Sequence, residues 1–523
     1  MAQIKINNLT FQYDSYGEDV FKNVSIVLDT NWKLGLVGRN GRGKTTLLKL
    51  LMGEYKYSGQ INSSVEFDYF PMEVKNKKEL AINVMREVIA PFDKWESEME
   101  FYSKDTKYIK EYGDVFDKYI SHDGYIINEL IEKEICKIGL KVDILDRIFD
   151  TLSQGEQNKL LLAALFLRKN KFILIDEPTN HLDTDGRKCV SEYLNKKKGF
   201  ILVSHDRNFI DEIVDHIMSI NKSNIDIQKG NYSTWYLNNE RRDNFEKAEN
   251  EKLLKEIDRL KIASNQKSKW SNAAESSKFG SGPVDRGYIG HKAAKMMKRS
   301  KSLEKRQNKA IEEKRKLLKN IETVENLSIH NMKHEKNIFI STTGLQIKYD
   351  NKILNKPIDF ELKSGERIWL KGKNGSGKSS IIKLIIGEKI DYLGNINVSG
   401  KISYVSQSTD YLKGKIEDFV KDKDVDIQHL KSSLIQLGFK REQFEKNIGE
   451  WSEGQKKKLL IATSLCEDAE IYIWDEPLNF VDIISRIQIE NMIIDNNITM
   501  IFVEHDEYFG QNICTKVVEV MPK

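Results

Sequence analysis

The stretch Gly38-Arg39-Asn40-Gly41-Arg42-Gly43-Lys44-Thr45-Thr46 follows the apolar run 34–37 and precedes the leucine-rich run 47–51. It matches G-x-x-x-x-G-K-T in the order strand, glycine-rich loop, helix, which is the context that makes this motif specific. In such a loop, backbone N–H groups and the helix N-terminus face phosphate oxygens. Lys44 can reach the outer phosphates of a nucleotide, and Thr45 can bind Mg²⁺. The stretch therefore predicts a nucleotide-binding P-loop.

The same arrangement recurs in the second half of the chain. There the sequence Gly372-Lys373-Asn374-Gly375-Ser376-Gly377-Lys378-Ser379-Ser380 opens a helix at Ile381. Each P-loop is followed by a Ser-x-Gly segment before a helix, an apolar strand ending in Asp-Glu, and an apolar strand leading to a histidine. In the first half these segments are, in the same order, 151–157, 172–183 and 200–206, and in the second half they are 451–455, 471–482 and 501–506. The helix after the first Ser-x-Gly segment is expected to begin near Asn158. A repeat of this length predicts two homologous nucleotide-binding domains.

The Asp-Glu pairs suggest the chemistry. An apolar strand that ends in Asp176-Glu177 places one carboxylate at a metal and the next one where it can orient or deprotonate a water molecule. Asp475-Glu476 repeats this pair. Taken singly, such carboxylates are often ordinary strand-end residues, and His205 could be a satisfied core histidine. Their order after a P-loop favours the catalytic interpretation.

Residues 237–325 occur only once in the chain. The first arm, from Tyr236 to Asn272, carries apolar residues at helical spacing, and the second arm repeats apolar or small residues every seven positions. These residues are Leu253, Ile257 and Leu260 in the first arm, and Met296, Leu303, Ala310 and Leu317 in the second. The glycine, serine and proline content of 276–287 ends both helices. The pattern predicts a helical hairpin with paired arms and a loop at its tip.

The tip of this hairpin is basic. Between Lys267 and Lys301 lie nine basic and two acidic residues, whereas the whole chain has a formal net charge of +4. Basic residues interleaved with Trp270, Phe279 and Tyr288 suit contact with phosphates and stacking on the exposed bases of looped RNA. The alternative is a solvated coiled-coil tip with no ligand.

Composition limits the function classes. A chain of 523 residues can form two or more domains, and its near-neutral charge argues against a wholly basic nucleic-acid binder. The four cysteines lack the spacing of a disulfide framework or a zinc site, which favours a cytoplasmic protein. No N-terminal signal region and no apolar run of spanning length is present, so we expect no membrane role. We expect domains at 1–236, with a helical insertion at about 90–125, at 237–325 for the hairpin, and at 326–523.

Together these motifs resemble the ATP-binding cassette (ABC) superfamily. Two cassettes joined by a charged hairpin, with Glu-Pro-Thr-Asn-His-Leu-Asp at 177–183, resemble its ABC-F proteins. Within that group, segments 35–44, 278–280, 293–301 and 474–479 are most similar to the Lsa-like antibiotic-resistance branch. The resemblance implies an α/β fold with two tandem ABC-type P-loop nucleotide-binding domains, joined by a long antiparallel helical hairpin.

The resemblance also implies roles for individual residues, with ATP held head to tail between the cassettes. Lys44 and Thr45 would face Ser452 and Gly454, while Lys378 and Ser379 would face Ser153 and Gly155. Tyr13 and Tyr349 would stack on adenine, and the alternative for each is a packing role on its strand. The ten residues just named are expected to bind ATP. The other P-loop residues expected to bind it are Gly38, Arg39, Asn40, Gly41, Arg42, Gly43 and Thr46 in the first loop, and Gly372, Lys373, Asn374, Gly375, Ser376, Gly377 and Ser380 in the second. Mg²⁺ would be held by Thr45, Asp176, Ser379, Gln407 and Asp475, and the catalytic residues would be Glu177, Glu476, His205 and His505.

Some positions depart from the family pattern. Gln407 fits the second Q-loop, but the matching first-half position is Met72, which has no amide for a metal. The second D-loop reads Asn479-Phe480-Val481-Asp482 instead of Asn-His-Leu-Asp, and the second signature carries Glu453 in place of a small residue. These differences predict two unequal ATP sites.

For function, the resemblance implies an ATPase that acts on ribosomes. The ATP-bound protein, a monomer with its two cassettes paired, would bind the 50S E site and contact 23S rRNA and the P-site tRNA. Its tip would dislodge lincosamides, streptogramin A and pleuromutilins from the peptidyl-transferase centre. The tip residues expected to act there are Lys278, Phe279, Arg286, Tyr288 and Ile289. The alternatives are an ABC-F translation factor that acts on stalled ribosomes without drug, a tandem transporter ATPase, and a DNA-repair ATPase.

Overall fold

Two sheets form the first half of the molecule. The computed structural model describes residues 2–13, 19–180, 182–221, 224–276, 337–349, 352–421, 423 and 425–523. The strands and helices up to the second sheet's last strand are β1 (Gln3–Gln12), β2 (Asp19–Asp29), β3 (Lys33–Val37), α1 (Lys44–Leu51), β4 (Ser58–Ser63), β5 (Glu66–Phe70), α2 (Ala81–Ile89), α3 (Phe92–Tyr102), α4 (Ile109–Ser121), α5 (Ile127–Lys137), α6 (Gln154–Leu167), β6 (Lys171–Asp176), α7 (Thr184–Asn195), β7 (Phe200–Val203), α8 (Arg207–Ile213), β8 (His216–Ile220) and β9 (Ile225–Lys229). An antiparallel sheet has the order β2-β1-β4, and a mainly parallel sheet has the order β5-β6-β7-β3-β8-β9.

The parallel sheet positions the predicted motifs. Its central strands β6, β7 and β3 are apolar and buried, as expected for strands covered on both faces. They lie side by side, so their carboxyl ends meet at one edge of the sheet. The P-loop, the Asp-Glu pair and the histidine each follow one of these three strands. Segments far apart in the sequence therefore converge on one site.

Two helices separate α2 from α5 in the first half. α3 and α4 pack against each other, and Arg86 of α2 donates hydrogen bonds to Asp93 and Glu96 of α3, at 3.2 and 2.7 Å. The second half has no helix between the corresponding elements among its described residues. α3 and α4 lie within the segment 90–125, where the sequence predicts a helical insertion.

A 45-residue helix, α9 (Tyr232–Ser276), follows the first half. It spans the predicted first arm, Tyr236 to Asn272, with four further residues at each end. The second arm and the expected tip residues Lys278, Phe279, Arg286, Tyr288 and Ile289 lie outside the described residues. Residues Ser233–Val324 form a unit of their own, and both halves of the repeat belong to the other unit. Among the described helices, none is both long and apolar enough to cross a membrane.

The second half repeats the first with small changes. Its strands and helices are β10 (Ile338–Tyr349), β11 (Lys352–Ile353), β12 (Ile358–Lys363), β13 (Arg367–Lys371), α10 (Lys378–Ile385), β14 (Asp391–Val398), β15 (Ile402–Val405), α11 (Ile416–Val420), α12 (Ile427–Gln436), α13 (Glu453–Cys466), β16 (Ile471–Asp475), α14 (Ile483–Asp495), β17 (Met500–Val503), α15 (Glu507–Ile513) and β18 (Lys516–Glu519). The parallel sheet has the order β15-β16-β17-β13-β18, and its core includes the fully buried Trp369 and Trp474. The predicted α/β fold with two tandem nucleotide-binding domains is confirmed.

Candidate ATP-binding and catalytic site

The two P-loops have nearly the same geometry. Gly43 precedes α1 with φ +91°, a conformation that strains any side chain, and a Cβ there would lie 2.7 Å from Val20 Cγ1. Gly377 has the equivalent φ of +94° before α10. Lys44 Nζ donates to the carbonyl of Gly38 at 2.8 Å, and Lys378 Nζ donates to that of Gly372 at 2.8 Å. Each loop thus folds back over its own lysine and holds the ammonium group inside the turn.

In each half, an aspartate at the end of the neighbouring strand accepts a hydrogen bond from the hydroxyl that follows the P-loop lysine. Thr45 Oγ1 donates to Asp176 Oδ2 at 2.8 Å, and Ser379 Oγ donates to Asp475 Oδ1 at 3.2 Å. Burial raises the pKa of Asp176 above its usual range, and it raises that of Asp475 to about 6. A buried carboxylate beside a hydroxyl and an ammonium group is a suitable environment for a divalent cation, which would restore the charge that burial disfavours.

The next residue in each half, the predicted catalytic glutamate, has a strained backbone. Glu177 has φ +52° and Glu476 has φ +47°, values that glutamate rarely adopts. The strain is held by hydrogen bonds from the Glu177 and Glu476 amides to the carbonyls of Val203 and Val503, at 2.9 and 3.0 Å. Strain of this kind, imposed in both halves at the same position, is typical of functional sites.

The predicted histidines lie against these glutamates. His205 Nε2 is 3.5 Å from Glu177 Oε1, and His505 Nε2 is 3.5 Å from Glu476 Oε1. Both histidines are buried. Burial, together with Lys44 and Arg486, holds the pKa of His205 well below its usual range, so this imidazole is neutral.

The electrostatic environments of the two glutamates differ. Burial, with a smaller effect from Asp176, raises the pKa of Glu177 to about 8. Burial acts in the same direction on Glu476, but hydrogen bonds from His505, Gln407 and Asn479 outweigh it and hold its pKa at about 2. The two sites are therefore unequal, as the departures from the family pattern predict.

The predicted adenine-stacking tyrosines lie beside the P-loop helices. The Tyr13 hydroxyl is 2.8 Å from Thr46 Oγ1, and Ser380 Oγ donates to the Tyr349 hydroxyl at 3.5 Å. The Tyr13 ring packs edge-on against Phe11, with ring centroids 4.9 Å apart. The two tyrosines are thus equivalent in position, and both lie at the first turn of the helix that follows the P-loop.

Each signature serine caps a helix. Ser153 Oγ accepts from the Glu156 amide at 3.3 Å, while the Glu156 carboxylate accepts from the Ser153 amide at 2.8 Å. Ser452 forms the same capping box with Gln455. α6 therefore begins at Gln154, so the expected start near Asn158 is wrong by four residues. The capping box itself sets the start, and it leaves the signature at a helix N-terminus that favours anions.

Backbone groups from the opposite half contact the first site. Asn40 Nδ2 donates to the carbonyl of Phe480 at 2.9 Å, and a Cβ on Gly454 would lie 2.8 Å from that Asn40 nitrogen and 2.3 Å from that Phe480 carbonyl oxygen. The second signature thus lies over the first P-loop, in the expected head-to-tail arrangement.

The second site contains a cavity of about 360 Å³ between the halves. Residues from both halves line it, among them Leu182 and Arg187 of the first and Lys378, Gln407, Glu476 and His505 of the second. Lys373 Nζ also pairs with Asp185 Oδ2 at 2.7 Å. This ion pair joins the two halves beside the second site.

Several site residues were missed in the sequence. Arg486 donates to the carbonyls of Leu478 and Val481, both at 2.9 Å, and to Asp506 Oδ2 at 2.7 Å. Arg187 makes the corresponding bonds to Leu182 and Asp206 in the first half. Both arginines follow the D-loop aspartate by four residues, so an alignment of the two halves would have revealed them. Each connects the D-loop to the histidine segment.

Tyr69 was also missed. Its hydroxyl donates to Asp176 Oδ2 at 3.0 Å. Strand pairing makes Met72 the counterpart of Gln407, because Phe70 pairs with Ile175 as Val405 pairs with Trp474. The first site therefore lacks the Q-loop amide, as predicted, and has a phenol nearby.

The residues present fit a nucleotide with its cation. Within the described part of the chain, Ser376 Oγ is buried and has no hydrogen-bond partner, and both P-loop lysines bond only to carbonyl or amide oxygens of their own loops. Phosphate oxygens would satisfy both kinds of group.

Comparison with known proteins supports this assignment. The family model described as "ABC transporter" matches residues 21–180 and 355–479. "ABC transporter F family member 2" of Arabidopsis thaliana is 27% identical over 99% of this chain and 76% of its own length. "Ribosome protection protein VmlR" of Bacillus subtilis is 26% identical over 95% of this chain and 83% of its own length.

A solved structure gives the same architecture. The structure titled "RNase-L Inhibitor" superimposes with a TM-score of 0.59 at 18% identity, covering 99% of this chain and 90% of that one. At that identity the likeness concerns the fold alone. From the family match over both halves and from the site geometry, we conclude that this chain belongs to the ABC family and is a tandem-cassette ATPase that binds ATP with Mg²⁺.

Proposed function

We propose that this protein is an ABC-F ATPase of the cytoplasm that protects ribosomes from antibiotics, in the manner of the Lsa-like branch. The observation that carries the proposal is similarity over 95% of the chain to a relative named as a ribosome protection protein. The 45-residue helix that follows the first cassette supports it, because a probe that reaches into the ribosome needs such a stalk.

ATP would act by closing the two cassettes. Lys44 and Lys378 would bind the outer phosphates, while Asp176 with Thr45, and Asp475 with Ser379 and Gln407, would hold Mg²⁺. When bound, Mg²⁺ neutralises phosphate charge in the transition state of phosphoryl transfer. The signature serines, as caps of positive helix ends, would bind the terminal phosphate from the opposite cassette.

The glutamates would activate water for hydrolysis. Glu177 and Glu476 would each orient a water toward the terminal phosphate, and His205 and His505 would contact that phosphate. The strained backbone of the glutamates favours this role, because it aims a carboxylate away from the strand path and toward the P-loop. Loss of the terminal phosphate would then remove the bridge that holds the cassettes together.

Closure of the cassettes would change the affinity of the protein for the ribosome. A nucleotide drives release only if the ATP-closed form binds the ribosome more tightly than the open form. In our proposal the closed form binds the 50S E site as a monomer, and the hairpin tip moves the P-site tRNA end and 23S rRNA so that bound drug leaves.

The decisive experiment measures drug susceptibility in a sensitive host. We expect expression to raise the minimum inhibitory concentrations of lincomycin, a streptogramin A and a pleuromutilin, and we expect Glu177→Gln with Glu476→Gln to abolish the rise. That double variant should also sediment with ribosomes in the presence of ATP. If the minimum inhibitory concentrations do not rise although the protein sediments with ribosomes, the protein would be assigned to the ABC-F factors that act on stalled ribosomes without drug. Sedimentation with membranes and not with ribosomes would favour a transporter ATPase.

A further inference from the structure

Two hydroxyl groups converge on one oxygen of Asp176. Tyr69 Oη donates to Asp176 Oδ2 at 3.0 Å, and Thr45 Oγ1 donates to the same oxygen at 2.8 Å. Tyr69 is half-buried, at the penultimate position of β5. The Asp176 carboxylate is therefore fixed from two directions.

The second site has the same tyrosine but not the same bond. Tyr404 pairs with Ile473 as Tyr69 pairs with Leu174, so the two tyrosines occupy equivalent positions. Asp475 accepts from Ser379 at 3.2 Å, and no hydrogen bond joins Tyr404 to Asp475 among the described residues. Gln407 lines the cavity of this site together with Glu476.

The difference in hydrogen bonding between the two tyrosines accompanies a difference in the residue at the Q-loop position. Gln407 supplies an amide oxygen, which is a good ligand for Mg²⁺, whereas the thioether of Met72 is soft and binds Mg²⁺ poorly. The first site thus depends more heavily on its one aspartate. Mutation of a group that orients a metal ligand typically costs about 10- to 100-fold in metal affinity or activity.

We propose that Tyr69 is a positioning residue of the first ATP site, where it orients Asp176 for Mg²⁺ and offsets the absent Q-loop amide. The proposal rests on the ATP-binding activity of the cassettes and is independent of any role on the ribosome. It also assigns the two equivalent tyrosines different functions, which makes Tyr404 a matched control.

The test isolates the first site in the full-length chain with Lys378→Ala, which removes the phosphate-binding lysine of the second site. In this background, binding of a fluorescent ATP analogue is titrated with MgCl₂ and is also measured in EDTA. We expect Tyr69→Phe to raise the half-saturating Mg²⁺ concentration about 10-fold, as is typical for loss of such a group, and to leave affinity in EDTA unchanged. Tyr404→Phe should leave both quantities unchanged.

A second variant restores the missing amide. Adding Met72→Gln to Tyr69→Phe should bring the half-saturating Mg²⁺ concentration back toward that of the parent. The proposal is overturned if Tyr69→Phe does not change the Mg²⁺ dependence, or if it weakens binding equally in EDTA. An equal shift with Tyr404→Phe would overturn it as well. No ribosome is present, so these outcomes are distinct from failure of the proposed ribosomal function.

Discussion

Arg207 of the first cassette and Glu490 of the second form a buried ion pair across the cassette interface, and the described residues on the opposite side form no equivalent pair. Their side chains are 7% and 3% exposed. Arg207 also stacks on Tyr508 with its guanidinium 4.2 Å from the ring centroid, and Asn512 donates to Glu490 at 3.2 Å. The position equivalent to Arg207 in the second half is Glu507, which pairs with Lys371 of its own cassette at 2.9 Å.

Loss of Arg207 should therefore be costly. Arg207→Ala leaves Glu490 buried without its cation, and we expect it to lower the free energy of unfolding by about 3 to 5 kcal/mol. Urea unfolding of the full-length chain measures this. Glu507→Ala breaks a half-exposed pair and should change the same quantity by no more than about 1 kcal/mol. Arg207→Met with Glu490→Leu should cost less than the two single changes together, and strict additivity would contradict a direct pair.

Arg486 should matter more for turnover than its counterpart Arg187. Lysine cannot reproduce the three directional bonds of Arg486, so we expect Arg486→Lys to lower the kcat for ATP hydrolysis about 10-fold, which corresponds to about 1.4 kcal/mol of transition-state stabilisation. Arg187 makes fewer bonds and is less buried, so Arg187→Lys should have a smaller effect. Steady-state ATPase assays of both variants decide this, and equal losses would argue against unequal sites.

A methyl group at Gly454 should prevent closure of the first site. Its Cβ would lie 2.8 Å from Asn40 Nδ2 of the first P-loop and 2.3 Å from the Phe480 carbonyl oxygen of its own cassette, so the second signature could not approach the first P-loop as closely. We expect Gly454→Ala to reduce ATP turnover at least about 10-fold. Gly113→Ala adds the same methyl group to α4, where nothing lies within 4 Å, and should only raise the free energy of unfolding by about 0.5 to 1 kcal/mol. Normal turnover by Gly454→Ala would show that this contact is not needed for hydrolysis.

The buried Glu134 should make stability depend on pH. Burial would raise its pKa, but hydrogen bonds from Lys197, Tyr193 and Lys137 outweigh this and lower it. A lowered folded-state pKa means that the carboxylate stabilises the fold fully above its ordinary pKa of about 4.3, and that this contribution is lost as pH falls through the folded-state pKa.

We therefore expect Glu134→Gln to cost about 2 to 3 kcal/mol of unfolding free energy at pH 7, since it removes the buried anion that accepts hydrogen bonds from Lys197, Tyr193 and Lys137. The difference from the parent chain should persist down to about pH 4.5 and shrink below it. Urea titrations at several pH values measure both. A difference that grows on acidification would contradict the assigned pKa direction.

Local patterns were sufficient to predict the repeated motifs and the helices of the insertion. Both P-loops, both Asp-Glu pairs and both histidines lie where strand and loop patterns indicate, because these motifs are formed by residues close in sequence. The predicted start of α6 was wrong because the capping box of Ser153 and Glu156 outweighs the low helix propensity of Gly155. Arg207 and Tyr69 could not be predicted, because their partners lie 283 and 107 residues away and no periodicity encodes such pairs.

The left-handed backbone conformation of Glu177 and Glu476 lowers the stability of the fold at two residues that we assign to ATP hydrolysis. A conformation of this kind costs on the order of 1 to 3 kcal/mol at each position, and glycine would adopt it without strain. Random variants selected only for heat resistance should therefore accumulate glycine at these two positions and lose hydrolysis. Directed evolution of a more robust form must keep both positions fixed, and it should draw its gains from surface helices such as α4.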